Sequence, residues 1–278
     1  MRQGCHVSTR GGYRAAAVKA QAVGARSYQY FPKNPRSLSV KPFDRADAER
    51  CSAYCAQHDL LSIAHTPYPT NLATADLAQR SRTVDSLLND LEIAETCGSL
   101  GVVVHFGIYK GPDPLVGYRN IIACLDEVTA RWSGKAKLLI ENQAGDHAPM
   151  GTTFEELATI RSLCQKPESI AYCLDSCHLF ASGVWNGDAG AQWLETARST
   201  GVLDHIAAVH FNDCMYPSGS RKDRHAAIGQ GEISSEGLQW LLRVPELNGI
   251  PFVLETPTNG VGTHQLQLQL MLEWGALN

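Results

Sequence analysis

Six residues able to ligate a metal ion stand at the ends of short apolar runs: His65, His105, Glu141, Asp175, His210 and Glu255. They follow one another at intervals of 40, 36, 34, 35 and 45 residues, each the length of a strand with its helix. Imidazole nitrogens and carboxylate oxygens are the ligands of zinc and of other first-row divalent metals. One His or Glu in such a place would ordinarily be a hydrogen-bonded rim residue. Three imidazoles and three carboxylates brought together are electrostatically costly unless cations offset them. The series therefore predicts a metal cluster at one mouth of the fold. Two further segments add ligands: Asp175-Ser176-Cys177-His178 puts His178 just beyond a strand end, and Asp223-Arg224-His225 can turn two side chains to one side of an extended loop.

The elements that must position these groups are legible as alternation. Apolar, β-rich runs over residues 4–7, 26–31, 61–65, 101–105, 137–141, 171–175, 206–210 and 252–255 predict eight strands. Successive apolar residues, as in Val102-Val103-Val104 and Leu138-Leu139-Ile140, predict strands covered on both faces, as in an all-parallel sheet. Helical stretches lie between them, at 14–22, 76–97 and 154–164, the last preceded by the capping pair Thr152-Thr153. Eight such units in 278 residues predict a single-domain (β/α)8 TIM barrel spanning 1–278. In that fold every strand ends on the same rim, so the six ligands converge.

Composition agrees with a soluble enzyme: 44% of residues are hydrophobic and 19% charged. No run of about 18 apolar residues predicts a membrane span, and no apolar leader is evident near Met1, so a cytoplasmic protein and, by default, a monomer are expected. Nine cysteines are scattered through the chain without a CxxC pair, which predicts packing thiols rather than a disulfide framework. The formal net charge of −4 gives no overall signal for nucleic acid. Lys33, Arg36, Arg221, Lys222 and Arg224 fall in predicted rim loops, where they would make a local basic collar.

The ordered series resembles the endonuclease IV family of apurinic/apyrimidinic endonucleases, nearly end to end. The match runs through Gly4-Cys5-His6-Val7-Ser8, Phe31-Pro32-Lys33-Asn34-Pro35-Arg36, His65 with Tyr68 and Asn71, Ile140-Glu141-Asn142-Gln143-Ala144-Gly145, Leu174-Asp175-Ser176-Cys177-His178, the segment 219–233 (GSRKDRHAAIGQGEI) and Leu254-Glu255-Thr256. The resemblance implies three Zn2+ ions, with Mn2+ or Fe2+ possible in part. His65, His105 and Glu141 would hold one. Glu141, Asp175, His210 and Glu255 would hold a second, and His178, Asp223 and His225 a third. It implies hydrolysis of the phosphodiester 5′ to an abasic site in double-stranded DNA, and removal of 3′ blocking groups. Glu141 and Glu255 would orient the attacking water, and Lys33, Arg36, Tyr68, Asn71, Arg221 and Arg224 would contact the DNA.

Two places depart from the family pattern. Pro69 stands where a leucine wedge is familiar, and Phe106-Gly107-Ile108-Tyr109-Lys110-Gly111 replaces small and polar residues. The rival reading is a single-metal sugar isomerase or epimerase of the xylose isomerase-like kind. Such an enzyme needs Glu141, Asp175, His210 and Glu255 but not the other five ligands. A catalytically silent barrel that binds damaged DNA is a second rival, with no need of the full ligand set.

Overall fold

The computed structural model describes residues 1–190, 192–258 and 263–276. Its eight parallel strands close on themselves: β1 (Arg2–His6), β2 (Ser27–Tyr30), β3 (Leu61–His65), β4 (Gly101–Val104), β5 (Lys137–Glu141), β6 (Ile170–Asp175), β7 (Ile206–His210) and β10 (Pro251–Leu254), which pairs with β1. A two-stranded antiparallel hairpin, β8 (Asp213–Cys214) with β9 (His225–Ala226), is inserted between β7 and β10. The predicted TIM barrel is therefore the observed fold. His105 and Glu255 lie one residue beyond their strands rather than within them.

Helices cover the outside of the barrel, and their starts are written locally. Asp76 caps α3 (Leu77–Thr96) by accepting from the amides of Ala78 and Gln79. Thr153 and Glu156 form a reciprocal capping box on α5 (Phe154–Leu163). Among the described residues no helix is long and apolar enough to cross a membrane.

The barrel interior explains why the ligands converge. Ile63, Val103, Leu139, Cys173, Ala208 and Val253 pack together inside it. Side chains alternate faces along a strand with a period of two. The residues two positions further on are His65, His105, Glu141, Asp175, His210 and Glu255, so each continues the inward row where the strand leaves the barrel. All nine cysteines are buried and unpaired.

Candidate metal centre

Nine ligand-type side chains meet at that rim, in groups whose ligand atoms lie within 4.8 Å of one another: His65, His105 and Glu141; Glu141 again with Asp175, His210 and Glu255; and His178, Asp223 and His225. A further group of Asp175, Cys177 and His225 overlaps the last two. His178 reaches the rim through α6 (Ser176–Ser182), whose first turn is capped by Asp175: Oδ1 accepts the His178 amide at 2.7 Å. One carboxylate thus ends a strand, caps a helix and faces the cluster. Asp223 and His225 arrive on the β8–β9 hairpin.

Three of the five rings are oriented from behind. His65 Nδ1 donates to the Thr66 carbonyl at 2.8 Å, leaving Nε2 facing the cluster, 3.3 Å from His105 Nε2. His178 Nδ1 donates to the Asn142 carbonyl at 2.8 Å, with Nε2 3.3 Å from Asp223. His210 Nε2 donates to Gln29 Oε1 at 2.7 Å, so Nδ1 faces Glu141 at 2.9 Å and Glu255 at 3.1 Å. Donation of the outer ring nitrogen to an oxygen is the usual device for fixing a metal-binding imidazole.

The electrostatics have the imprint of a cation site. Burial, followed by the charge of His105, pulls His65 down to about 4, which keeps its lone pair free. Burial also pulls on His225, but its hydrogen bond to Asp223 and the nearby charges of Asp175 and Glu255 raise it to about 9. Burial would raise Glu141, yet the imidazoles of His105 and His210 outweigh it and hold the carboxyl well below the usual range. Glu141 Oε2 is the decisive atom: it is buried, has no hydrogen-bond partner, and lies 3.1 Å from His105 Nε2. An orphaned buried acceptor among imidazoles fits a divalent cation, and the donor set of imidazole and carboxylate suits zinc-type metals.

The family pattern described as xylose isomerase-like TIM barrel matches residues 17–274. A protein of Symbiobacterium thermophilum named probable endonuclease 4 is 39% identical over 257 residues, covering 92% of this chain and 93% of its own length. The crystal structure of endonuclease IV from Thermus thermophilus superposes with a TM-score of 0.86 at 31% identity, covering 99% of this chain and 98% of its own. The chain belongs to the endonuclease IV family. A D-tagatose 3-epimerase-like protein shares the barrel, with a TM-score of 0.72 at 19% identity, which speaks for the fold alone.

Around this endonuclease IV-type centre, a cavity of about 460 Å³ is bounded by Tyr68, Asn71, Ile108, Asp146 and His147 as well as by His65, His105, His178 and Asp223. Tyr68 is 71% exposed, and Arg36, Arg221, Lys222 and Arg224 are also exposed. Lys222 lies with Nζ 4.3 Å above the Tyr216 ring. Asn71 is a bracket between loops: its Nδ2 donates to the Ile108 carbonyl at 3.0 Å and its Oδ1 accepts the Ala73 amide. Gly107 lets these loops meet, since a Cβ there would lie 2.3 Å from Asn71 Oδ1. Lys33 corrects an expectation. Instead of facing DNA it is buried, with Nζ 2.7 Å from Asp90, because the Phe31–Arg36 segment lies against α3 and turns this one charge inward.

Sequence reasoning also missed the residues behind the ligands. Gln29 is a polar residue inside a fully buried strand, itself a signal. Asn212 Nδ2 donates to Asp175 at 2.7 Å, and its Oδ1 accepts the Glu255 amide at 2.9 Å. Asn142 and Asn212 follow strand-end ligands by one and two residues.

Proposed function

We propose that the protein is a zinc-dependent DNA-repair endonuclease that hydrolyses the phosphodiester 5′ to abasic sites in duplex DNA and removes 3′ blocking groups. The gathering of nine ligand-type side chains into three groups at one rim, two of them sharing Glu141, carries the proposal. His65, His105 and Glu141 would hold one ion. Asp175, His210 and Glu255 would share Glu141 in holding a second, and His178, Asp223 and His225 would hold a third. Bound there, divalent cations would acidify water toward a pKa of about 7 and offset charge on the phosphate.

The chain's own contributions follow from position. Of the three strand-end carboxylates, Glu255 is partly buried whereas Glu141 and Asp175 are fully so, and it is therefore the one of these turned to the mouth to orient an attacking water. Gln29 Nε2 donates to its Oε1 at 2.6 Å and holds it in place. Glu141, sealed beneath, stays ionised between His105 and His210. Arg36, Arg221 and Arg224 supply positive charge for the DNA backbone, and Tyr68 presents an aromatic face beside the lesion. An abasic nucleotide lacks the stacking and pairing that oppose extrusion, so it reaches this recessed centre at lower cost than an intact one.

Incision of an abasic oligonucleotide duplex by purified protein, with metal content measured in parallel, tests the reading. About three ions per chain and a nick 5′ to the lesion are expected. Glu255→Gln should lower incision by at least about a thousandfold with its melting temperature retained. One ion per chain with sugar isomerisation and no incision would install the rival, as would a Glu255→Gln variant that nicks at the parental rate refute the mechanism.

A further inference from the structure

The loop at residues 31–44, between β2 and α2 (Arg45–Gln57), carries the exposed Arg36 and is built around a buried ion pair. Lys33 Nζ lies 2.7 Å from Asp90 Oδ1 and donates to the Ser86 carbonyl at 2.8 Å, with the side chains 2% and 0% exposed. Further along, the Lys41 amide donates to Asn89 Oδ1 at 3.1 Å, and Asn89 Nδ2 donates back to the Lys41 carbonyl at 3.2 Å. Ser86, Asn89 and Asp90 occupy neighbouring positions on one face of α3, so a single helix face grips the loop at both ends. Between these anchors the Pro35 carbonyl accepts the Tyr68 amide at 2.8 Å, which ties Arg36's neighbour to the adjoining rim loop.

Such a pair is an expensive way to hold a loop. Burial pushes the Asp90 carboxyl up to about 7 against the pull of Lys33, and the carboxylate has no hydrogen bond of good geometry. Apolar residues of similar volume commonly stabilise as well or better, whereas deleting one partner strands a buried charge. What an ion pair adds over an apolar contact is a defined direction, and the direction set here is that of Arg36.

We propose that the Lys33–Asp90 pair positions the 31–44 loop, and Arg36 with it, for the DNA duplex, setting affinity for that substrate while taking no part in hydrolysis. Lys33 and Asp90 are thus positioning residues, and the proposal rests on the functional reading above.

The test compares metal-loaded parent, Asp90→Asn, and the double variant K33M/D90L on an abasic duplex and on bis(p-nitrophenyl) phosphate, a phosphodiester too small to meet the loop. Asp90→Asn should raise KM for the duplex about tenfold or more with kcat within about twofold, and hydrolysis of the small ester should be unchanged. The double variant should regain the parental melting temperature yet keep the raised KM, a split that a merely structural pair would not produce. Backbone amides of residues 34–41 should exchange faster in both variants. A double variant with parental KM overturns the proposal, as does loss of small-ester hydrolysis in step with the duplex. A KM for Asp90→Asn at or below the parent's would mean that freed Lys33 binds phosphate directly, and also overturns it. If the parent cleaves neither substrate, the functional reading fails. Amide exchange then decides the loop's dependence on the pair, and parental exchange rates in both variants refute it.

Discussion

Gln29 does two jobs with one amide. Its Oε1 accepts from His210 Nε2 at 2.7 Å and its Nε2 donates to Glu255 Oε1 at 2.6 Å, so the ring and the carboxylate are oriented relative to each other before any ion arrives. The same Nε2 lies 3.2 Å from His6 Nδ1, extending the support to β1. Replacing Gln29 with Leu keeps the bulk but leaves His210 Nε2 without an acceptor in a fully buried place. Outer partners of metal ligands are typically worth about 10–100-fold in metal affinity or activity. Gln29→Leu is therefore expected to lose metal, in competition with a chelator, at about tenfold lower chelator concentration or less, and to lose incision in proportion. A variant that keeps its metal against the chelator as the parent does would show that His210 needs no such support.

Asp213 organises the element that brings Asp223 and His225 to the centre. Its Oδ1 accepts the amides of Cys214 and Ile233 at 2.8 and 3.2 Å, and its Oδ2 those of Gly229 and Gly231 at 3.0 and 2.9 Å. One buried carboxylate thus fastens the return segment to the β8–β9 hairpin, and Gly231 must be glycine because a Cβ would lie 2.3 Å from the Cys214 carbonyl. An asparagine in place of Asp213 keeps one acceptor oxygen but turns its NH2 toward two of these four amide donors, at a cost on the order of a few kcal/mol. Asp213→Asn should accordingly lower metal content by about one ion per chain, since His178 alone cannot hold the third. Unchanged stoichiometry would detach the hairpin's order from Asp213. This element also marks where sequence stopped being informative. The eight barrel strands were legible because burial on both faces writes continuous apolar runs, and their ligands because each ends such a run in phase with the inward row. A hairpin of two-residue strands leaves no periodic trace, and Asp213, Gln29 and Lys33 take their meaning from partners distant in sequence. Lys33 read as a rim charge because nothing near it shows that Asp90 is turned inward on α3.

At the scale of the whole molecule, charge is sorted by the barrel's polarity. At the end where strands begin, Arg2 at 2.8 Å and Arg26 at 2.5 Å share the carboxylate of Asp59, so their charge is partly neutralised there. At the rim, exposed Arg36, Arg221 and Arg224 form no ion pair with a carboxylate among the described residues. A chain of net charge −4 can therefore present a positive face, the more so when divalent ions outweigh the carboxylates of the centre. Binding to duplex DNA releases counterions, so the logarithm of affinity should fall linearly with the logarithm of salt concentration, by about 0.9 for each phosphate neutralised. Replacing Arg36, Arg221 or Arg224 by Gln should flatten that slope by about one apiece and weaken binding to abasic and intact duplexes alike. Arg26→Gln should leave the slope unchanged, because Arg26 lies at the opposite end of the barrel, paired with Asp59. Affinities measured across a salt series on one abasic duplex decide the matter. Equal slopes for the parent and the three rim variants would place the DNA elsewhere than on this face.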